Sequence, residues 1–101
     1  MKLLTKANRA ALPAIGATDG KGNEAVVKVK FFTPFRDWTW YATEFDGDDL
    51  FFGLVDGTHV ELGYFRLSQL ASLKGVAVVE RDRHFTPQTV GECRKHCTGQ
   101  G

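Results

Sequence analysis

A chain of 101 residues with a formal net charge of +1, 43% apolar and 25% charged residues has the make-up of one soluble globular domain. A chain of this size buries about 60–65% of the surface its unfolded form exposes, enough for one modest core without metals or disulfides. The near-neutral balance excludes a bulk basic field for nucleic acid, and no run reaches the ~20 apolar residues that a membrane span needs.

Lys2, Lys6 and Arg9 interrupt the apolar residues at the N-terminus, so no h-region of a signal peptide is formed. A cytoplasmic protein is expected, with Cys93 and Cys97 as reduced thiols. Thr5 has the chemistry of a helix N-cap before Lys6–Leu12, where Leu3, Leu4, Ala7, Ala11, Leu12 and Ile15 form an apolar stripe at helical spacing. Pro13 ends that helix, and Ala17–Glu24 is a polar connection rich in Gly, Asp and Asn.

Ala25–Thr33 is β-branched and aromatic and predicts a first strand, closed by a turn at Pro34–Asp37. Trp38–Asp46 alternates, with Trp38, Trp40, Ala42 and Glu44 on one side and Thr39, Tyr41, Thr43 and Phe45 on the other. Turns at Gly47–Asp49 and Asp56–Gly57 bound a third strand, Leu50–Val55, and Val60–Arg66 makes a fourth. Ser68 is placed as the N-cap of a short helix, Gln69–Lys74, closed by Gly75, and Val76–Asp82 returns as a fifth strand. The expectation is an α+β fold: an antiparallel meander sheet of about five strands, an N-terminal helix, and a short helix before the last strand. Residues 1–90 form the domain in this reading, and 91–101 a flexible tail.

Nine of the twelve aromatic residues fall between Phe31 and Phe52, which locates the core. Two short helices do not cover both faces of such a sheet. Some of Trp38, Trp40, Tyr41 and Phe45 are therefore expected to stay near the surface, where an apolar patch signals a partner. Beside Lys28, Lys30 and Arg36 the same rings also fit a stacking platform for single-stranded nucleic acid.

Polar constellations offer further candidates. Glu44, Asp46, Asp48, Asp49, Asp56 and Glu61 lie around two turns, as solvated hairpin tips or as paired carboxylates for a divalent metal or acid–base chemistry. An EF-hand loop counted from Asp46 would need Glu at its twelfth position and has Gly57. Glu80, Asp82 and His84 share one side of a strand, where with Glu61 or Asp56 they would hold a divalent metal or orient a base; alternating charge also protects an edge strand. Cys93, His96 and Cys97 are soft ligands without the second pair that a structural zinc site requires. No phosphate-binding glycine loop, nucleophile elbow or His-Glu-x-x-His helix is present, so no cofactor or metal is implied and the enzyme reading is the weaker one.

In order, Leu3-Leu-Thr5, Val29-Lys-Phe-Phe-Thr-Pro34, Thr43-Glu-x-Asp46, Phe52-Gly-Leu-x-Asp56, Glu61-Leu-Gly63, Ser68-x-Leu-x-Ser-Leu-x-Gly75 and Glu80-Arg-Asp-x-His-Phe85 line up along the chain. As a set they resemble the small bacterial domain-of-unknown-function family 2958 over residues 2–87. The chain departs from it in a shorter segment between Gly75 and Glu80 and in its Cys-containing tail. The resemblance carries no catalytic residues. It implies an accessory protein of bacterial mobile elements, and such proteins often occupy a host protein's surface, anti-CRISPR and anti-restriction proteins among them. The leading expectation is a non-enzymatic module binding a host or element-encoded protein through Trp38, Trp40, Tyr41, Asp46, Asp48 and Asp49. A metal-dependent enzyme using Glu61, Glu80, Asp82 and His84, and a single-stranded nucleic-acid binder, are the alternatives.

Overall fold

Thr5 starts the first helix by a reciprocal cap: its hydroxyl accepts the Asn8 N–H at 3.1 Å, and Asn8 Oδ1 accepts the Thr5 N–H at 3.0 Å. The computed structural model describes residues 3–34, 38–73 and 78–97. Expectations that fall on Phe35, Arg36, Asp37, residues 74–77 and residues 98–101 lie outside the described residues.

Helix α1 spans Lys6–Ala11 and buries none of its own residues. It is anchored instead by Leu4 before it and Leu12 after it, so Ala7 and Ala11 of the expected stripe face solvent. Strands β1 (Val26–Val27) and β2 (Val29–Phe32) divide the expected first strand at Lys28. Then come β3 (Thr39–Phe45), β4 (Leu50–Asp56), β5 (Val60–Arg66), helix α2 (Leu67–Ser72), β6 (Glu80–Arg81), β7 (Gln88–Thr89) and helix α3 (Val90–Arg94).

The main sheet is antiparallel and five-stranded in the order β5-β4-β3-β2-β6, as the meander pattern predicts. β1 pairs separately with β7. The fold is therefore α+β, with a helix at the N-terminus and a short helix before the last strand of the main sheet.

One sheet face carries Val29, Phe31, Trp40, Ala42, Phe45, Phe51 and Phe65 and packs with Leu4, Leu12 and Leu70. Phe45, Phe51 and Phe65 are direct neighbours across β3, β4 and β5, with ring centroids 4.5 and 5.1 Å apart. Each such aromatic pair adds about 0.5–1.5 kcal/mol beyond its buried area.

Phe45 reaches that face because the register of β3 against β4 shifts between Ala42 and Glu44. Strict alternation sets Phe45 opposite to Trp40. The extra residue at the bulge, Thr43, flips everything after it, so Phe45 joins Trp40 and Glu44 moves to the other face. The Thr43 hydroxyl donates to the Phe52 carbonyl at 3.0 Å, and Gly53 admits the close backbone approach, since a Cβ there would lie 1.9 Å from the Tyr41 carbonyl oxygen.

The second face is covered as well. Tyr41 and Leu54 pack with Ala25, Val27, Val90 and Cys93, and Phe85 and Cys97 lie against them. Residues 91–94, placed at the start of the expected tail, continue helix α3, and Cys93 and Cys97 pack against this face. Thr89 caps α3 by accepting the Glu92 N–H at 3.1 Å, and Val90 and Cys93 are wholly buried. Low apolar density in this segment hides two well-placed anchors.

Candidate functional site

The chain turns at 46–49 because Asp46 Oδ1 gathers the N–H groups of Asp48, Asp49 and Leu50 at 2.8, 2.8 and 3.0 Å. Those bonds hold its carboxyl below the ordinary carboxylate value. Asp49 points the other way. It accepts the Ser68 N–H and hydroxyl, both at 2.8 Å, and its backbone carbonyl accepts the Leu67 N–H. Asp49 is therefore the acceptor at the start of α2, while Ser68 lies inside that helix and Arg66 precedes it. The Ser68 bonds, with Arg66 Nη1 at 3.7 Å, also lower the Asp49 pKa. Of the turn's three aspartates, Asp48 alone presents an exposed carboxylate with no intramolecular bond among the described residues.

Glu44, two residues before this turn, is 1% exposed. Its Oε1 accepts the Gly16 N–H at 2.8 Å and its Oε2 the Thr18 N–H at 2.7 Å, with the Thr18 hydroxyl donating to Oε2 too. Burial pushes the carboxyl up, but these three donors outweigh it and its pKa is lowered. Glu44 is a structural clasp on the 14–18 loop.

Of the three aromatics expected to share a surface, Trp40 and Tyr41 are buried on opposite faces and Trp38 is 38% exposed. The Trp38 ring sits 5.8 Å from Trp40 and rests on Gly57, where a Cβ would stand 2.3 Å from the ring. A stacking platform of all three rings is not assembled. Trp38 also immediately precedes β3 and the acidic turn follows that strand's end, about 26 Å away by strand rise. These residues are not brought together.

The second expected set is dispersed further. Glu80 lies on β6 at one sheet edge and Glu61 on β5 at the other, four strand spacings or about 19 Å apart. Asp82 pairs with Lys30 at 3.8 Å and caps the His84 N–H at 2.9 Å, while His84 is exposed. Among the described residues no group of three or more His, Cys, Asp or Glu side chains is placed to hold a metal ion. A groove of about 1020 Å³ runs between α1, α2 and residues 78–80, floored by Leu3, Leu4, Leu70 and Val79. Among the described residues that line it, Glu80 is the one acid, with no His or Cys beside it.

Cys97 Sγ lies 3.5 Å from the Cys93 carbonyl oxygen, next to Tyr41 and Asp56. Burial, with the neighbouring negative groups, pushes both thiols up to about 11 and raises the Tyr41 hydroxyl as well. These are protected thiols, unlike the low-pKa cysteines of reactive sites.

Sequence reasoning missed two open apolar side chains of β5. Tyr64 is 63% exposed and Leu62 37%. Both lie on β5, outside the aromatic-rich stretch, and the signal that could have found them is their alternation on a strand at the end of a meander.

The fold and these surfaces define a small α+β domain with a five-stranded antiparallel sheet and no helix long and apolar enough to cross a membrane among its described residues. The chain belongs to the family described as Protein of unknown function (DUF2958), whose model matches residues 3–91. Neither a curated protein nor a solved structure gives a significant match.

Proposed function

We propose that the chain is a non-enzymatic protein-binding accessory module of a bacterial mobile element, acting by occupying a surface of a host defence complex, of the anti-CRISPR or anti-restriction kind. The setting follows from the family resemblance. The observation that carries the binding reading is Trp38. Its ring is pinned on Gly57 and backed by Trp40, leaving one part open to solvent. A rigid, half-exposed tryptophan supplies large contact area at low entropic cost, the property of binding hot spots. Asp48 adds an exposed negative charge at the far end of β3, suited to a surface built for phosphates.

The test is capture from host lysate with the wild type, Trp38→Ala and Asp48→Ala, each first shown to keep its circular dichroism. A protein retained by the wild type and lost with Trp38→Ala supports the reading. Equal recovery by Trp38→Ala removes the ring from the interface, and no recovered protein removes the binding role.

A further inference from the structure

β5 is the outer strand of the main sheet, and no described strand pairs with its far side. Its register against β4 sets Val60 opposite Asp56 and Arg66 opposite Leu50. The bonds continuing that ladder at each end, Gly57 N–H to the His59 carbonyl at 3.1 Å and Leu67 N–H to the Asp49 carbonyl at 2.8 Å, join directly opposed residues. Hydrogen-bonded pairs alternate along an antiparallel ladder. Glu61, Gly63 and Phe65 therefore turn their backbone groups toward β4, and Val60, Leu62 and Tyr64 turn theirs outward.

The next outward N–H, of Arg66, is taken by Gln69 Oε1 at 2.9 Å. The open ladder thus runs from Val60 to Tyr64 and is centred on Leu62. Natural edges are guarded by charges, prolines or bulges. Here the three residues of the open ladder, Val60, Leu62 and Tyr64, are uncharged, and their side chains make one apolar strip on the same sheet face.

We propose that this edge is a self-association surface, on which β5 of one copy pairs antiparallel with β5 of a second copy about a two-fold axis at Leu62. That register sets Leu62 opposite Leu62 and Val60 opposite Tyr64 twice. The latter are aromatic–β-branched cross-strand pairs, among the favourable kinds. It uses every open backbone group from Val60 to Tyr64 and leaves the Gln69 cap of Arg66 in place. A formal net charge of +1 sets little repulsion between copies. The contact is a single strand edge, smaller than the ~1,200 Å² total that stable interfaces bury, so the dimer is weak and concentration-dependent. Trp38 lies outside the paired edge, and this inference stands apart from the binding role proposed for it.

Sedimentation velocity of the full chain, from micromolar to millimolar concentration, tests the proposal alongside amide hydrogen exchange. The wild type is expected to pass from monomer to dimer. Leu62→Lys, which sets two like charges face to face, is expected to stay monomeric with an unchanged circular dichroism spectrum. In the wild type the Leu62 and Tyr64 amides should gain protection only at high concentration, while Glu61 and Gly63 are protected throughout. A wild type that is monomeric at every concentration overturns the proposal, as does a dimer whose Leu62 and Tyr64 amides exchange as in the monomer. Trp38→Ala should dimerise like the wild type, which separates failure here from failure of the lysate capture.

Discussion

Glu44 and Thr18 lie 26 positions apart in sequence, and the glutamate's Oε2 accepts both the backbone N–H and the hydroxyl of the threonine. With Gly16 N–H on the other oxygen, a charged side chain inside the fold is satisfied by a loop that has almost no apolar anchor of its own. Removing the acceptor leaves these donors unpaired. Glu44→Ala is expected to cost about 2–3 kcal/mol, and Glu44→Gln, which keeps one oxygen, less. Urea unfolding at neutral pH measures both.

The same carboxylate gives an acid signature. Its folded pKa lies below the ordinary 4.5, so the stabilisation it provides is present above that value and is lost as pH falls through the folded value. The gap in unfolding free energy between wild type and Glu44→Gln should therefore shrink as the buffer is taken below pH 4.5. A gap that stays constant into acid assigns the stability to packing and not to the charge.

In the acidic turn, Asp46 and Asp49 work inside the protein and Asp48 does not. Asp49→Ala should lower the melting temperature by freeing the start of α2, and Asp46→Ala by opening the turn. Asp48→Ala should stay within about 0.5 kcal/mol of the wild type, as ordinary surface changes do. A thermal melt of the three variants decides it. Equal losses would mean that the turn is held by something other than these acceptor bonds.

Much of the fold was legible because local and global signals agree. Four runs of β-branched and aromatic residues separated by short turns give a meander, and Thr5 names its helix start. The bulge at Thr43 was not legible. Alternation is a period-2 rule, and an inserted residue leaves no mark in composition, though the Gly53 it requires is visible. Nor was the second layer: β1 and β7 are each two residues long, and Val90 and Cys93 are isolated anchors in a polar segment. Because that layer exists, Tyr41 is buried and the exposed aromatic surface moves to Tyr64. Of the expected surface aromatics, Trp38 remains open, just before β3 begins.

Gly53 and Gly63 face each other across β4 and β5, yet they differ sharply in what a methyl group would meet. At Gly53 it would lie 1.9 Å from a backbone oxygen; at Gly63 there is nothing within 4 Å. Gly53→Ala should cost about 3 kcal/mol or more, by prising β4 from the β3 bulge, whereas Gly63→Ala should be near neutral. Denaturant midpoints of the two variants make the comparison. Similar losses would refute the close approach at the bulge.

Gly57 should be as restrictive as Gly53, but through a ring. Gly57→Ala places a methyl where the Trp38 ring lies, and the ring must leave. The expected cost is about 1–3 kcal/mol, with tryptophan emission shifted to the red and more easily quenched. In Gly57→Ala combined with Trp38→Ala the ring is already gone. The glycine change should then add almost nothing, which is the coupling a double-mutant cycle reads.

The two thiols predict behaviour at the alkaline end. Cys93 and Cys97 have pKa values raised from 9.0 to about 11 by burial and by neighbouring negative charge. In the unfolded chain they ionise at ordinary values, so above pH 9 the unfolded state releases protons that the folded state retains. The thiols' contribution to stability should be flat below that point and fall between pH 9 and about 11. Replacing Cys97 by Ser, a group that does not titrate there, should flatten part of that fall. Alkylation gives the matching kinetic reading. At pH 8 iodoacetamide should label the unfolded protein at both positions within minutes and the folded protein far more slowly, Cys93 last, because reaction there waits for α3 to lift from Tyr41 and Leu54. Rapid labelling of Cys93 in the folded protein would show that α3 opens freely and that the second face is not held shut.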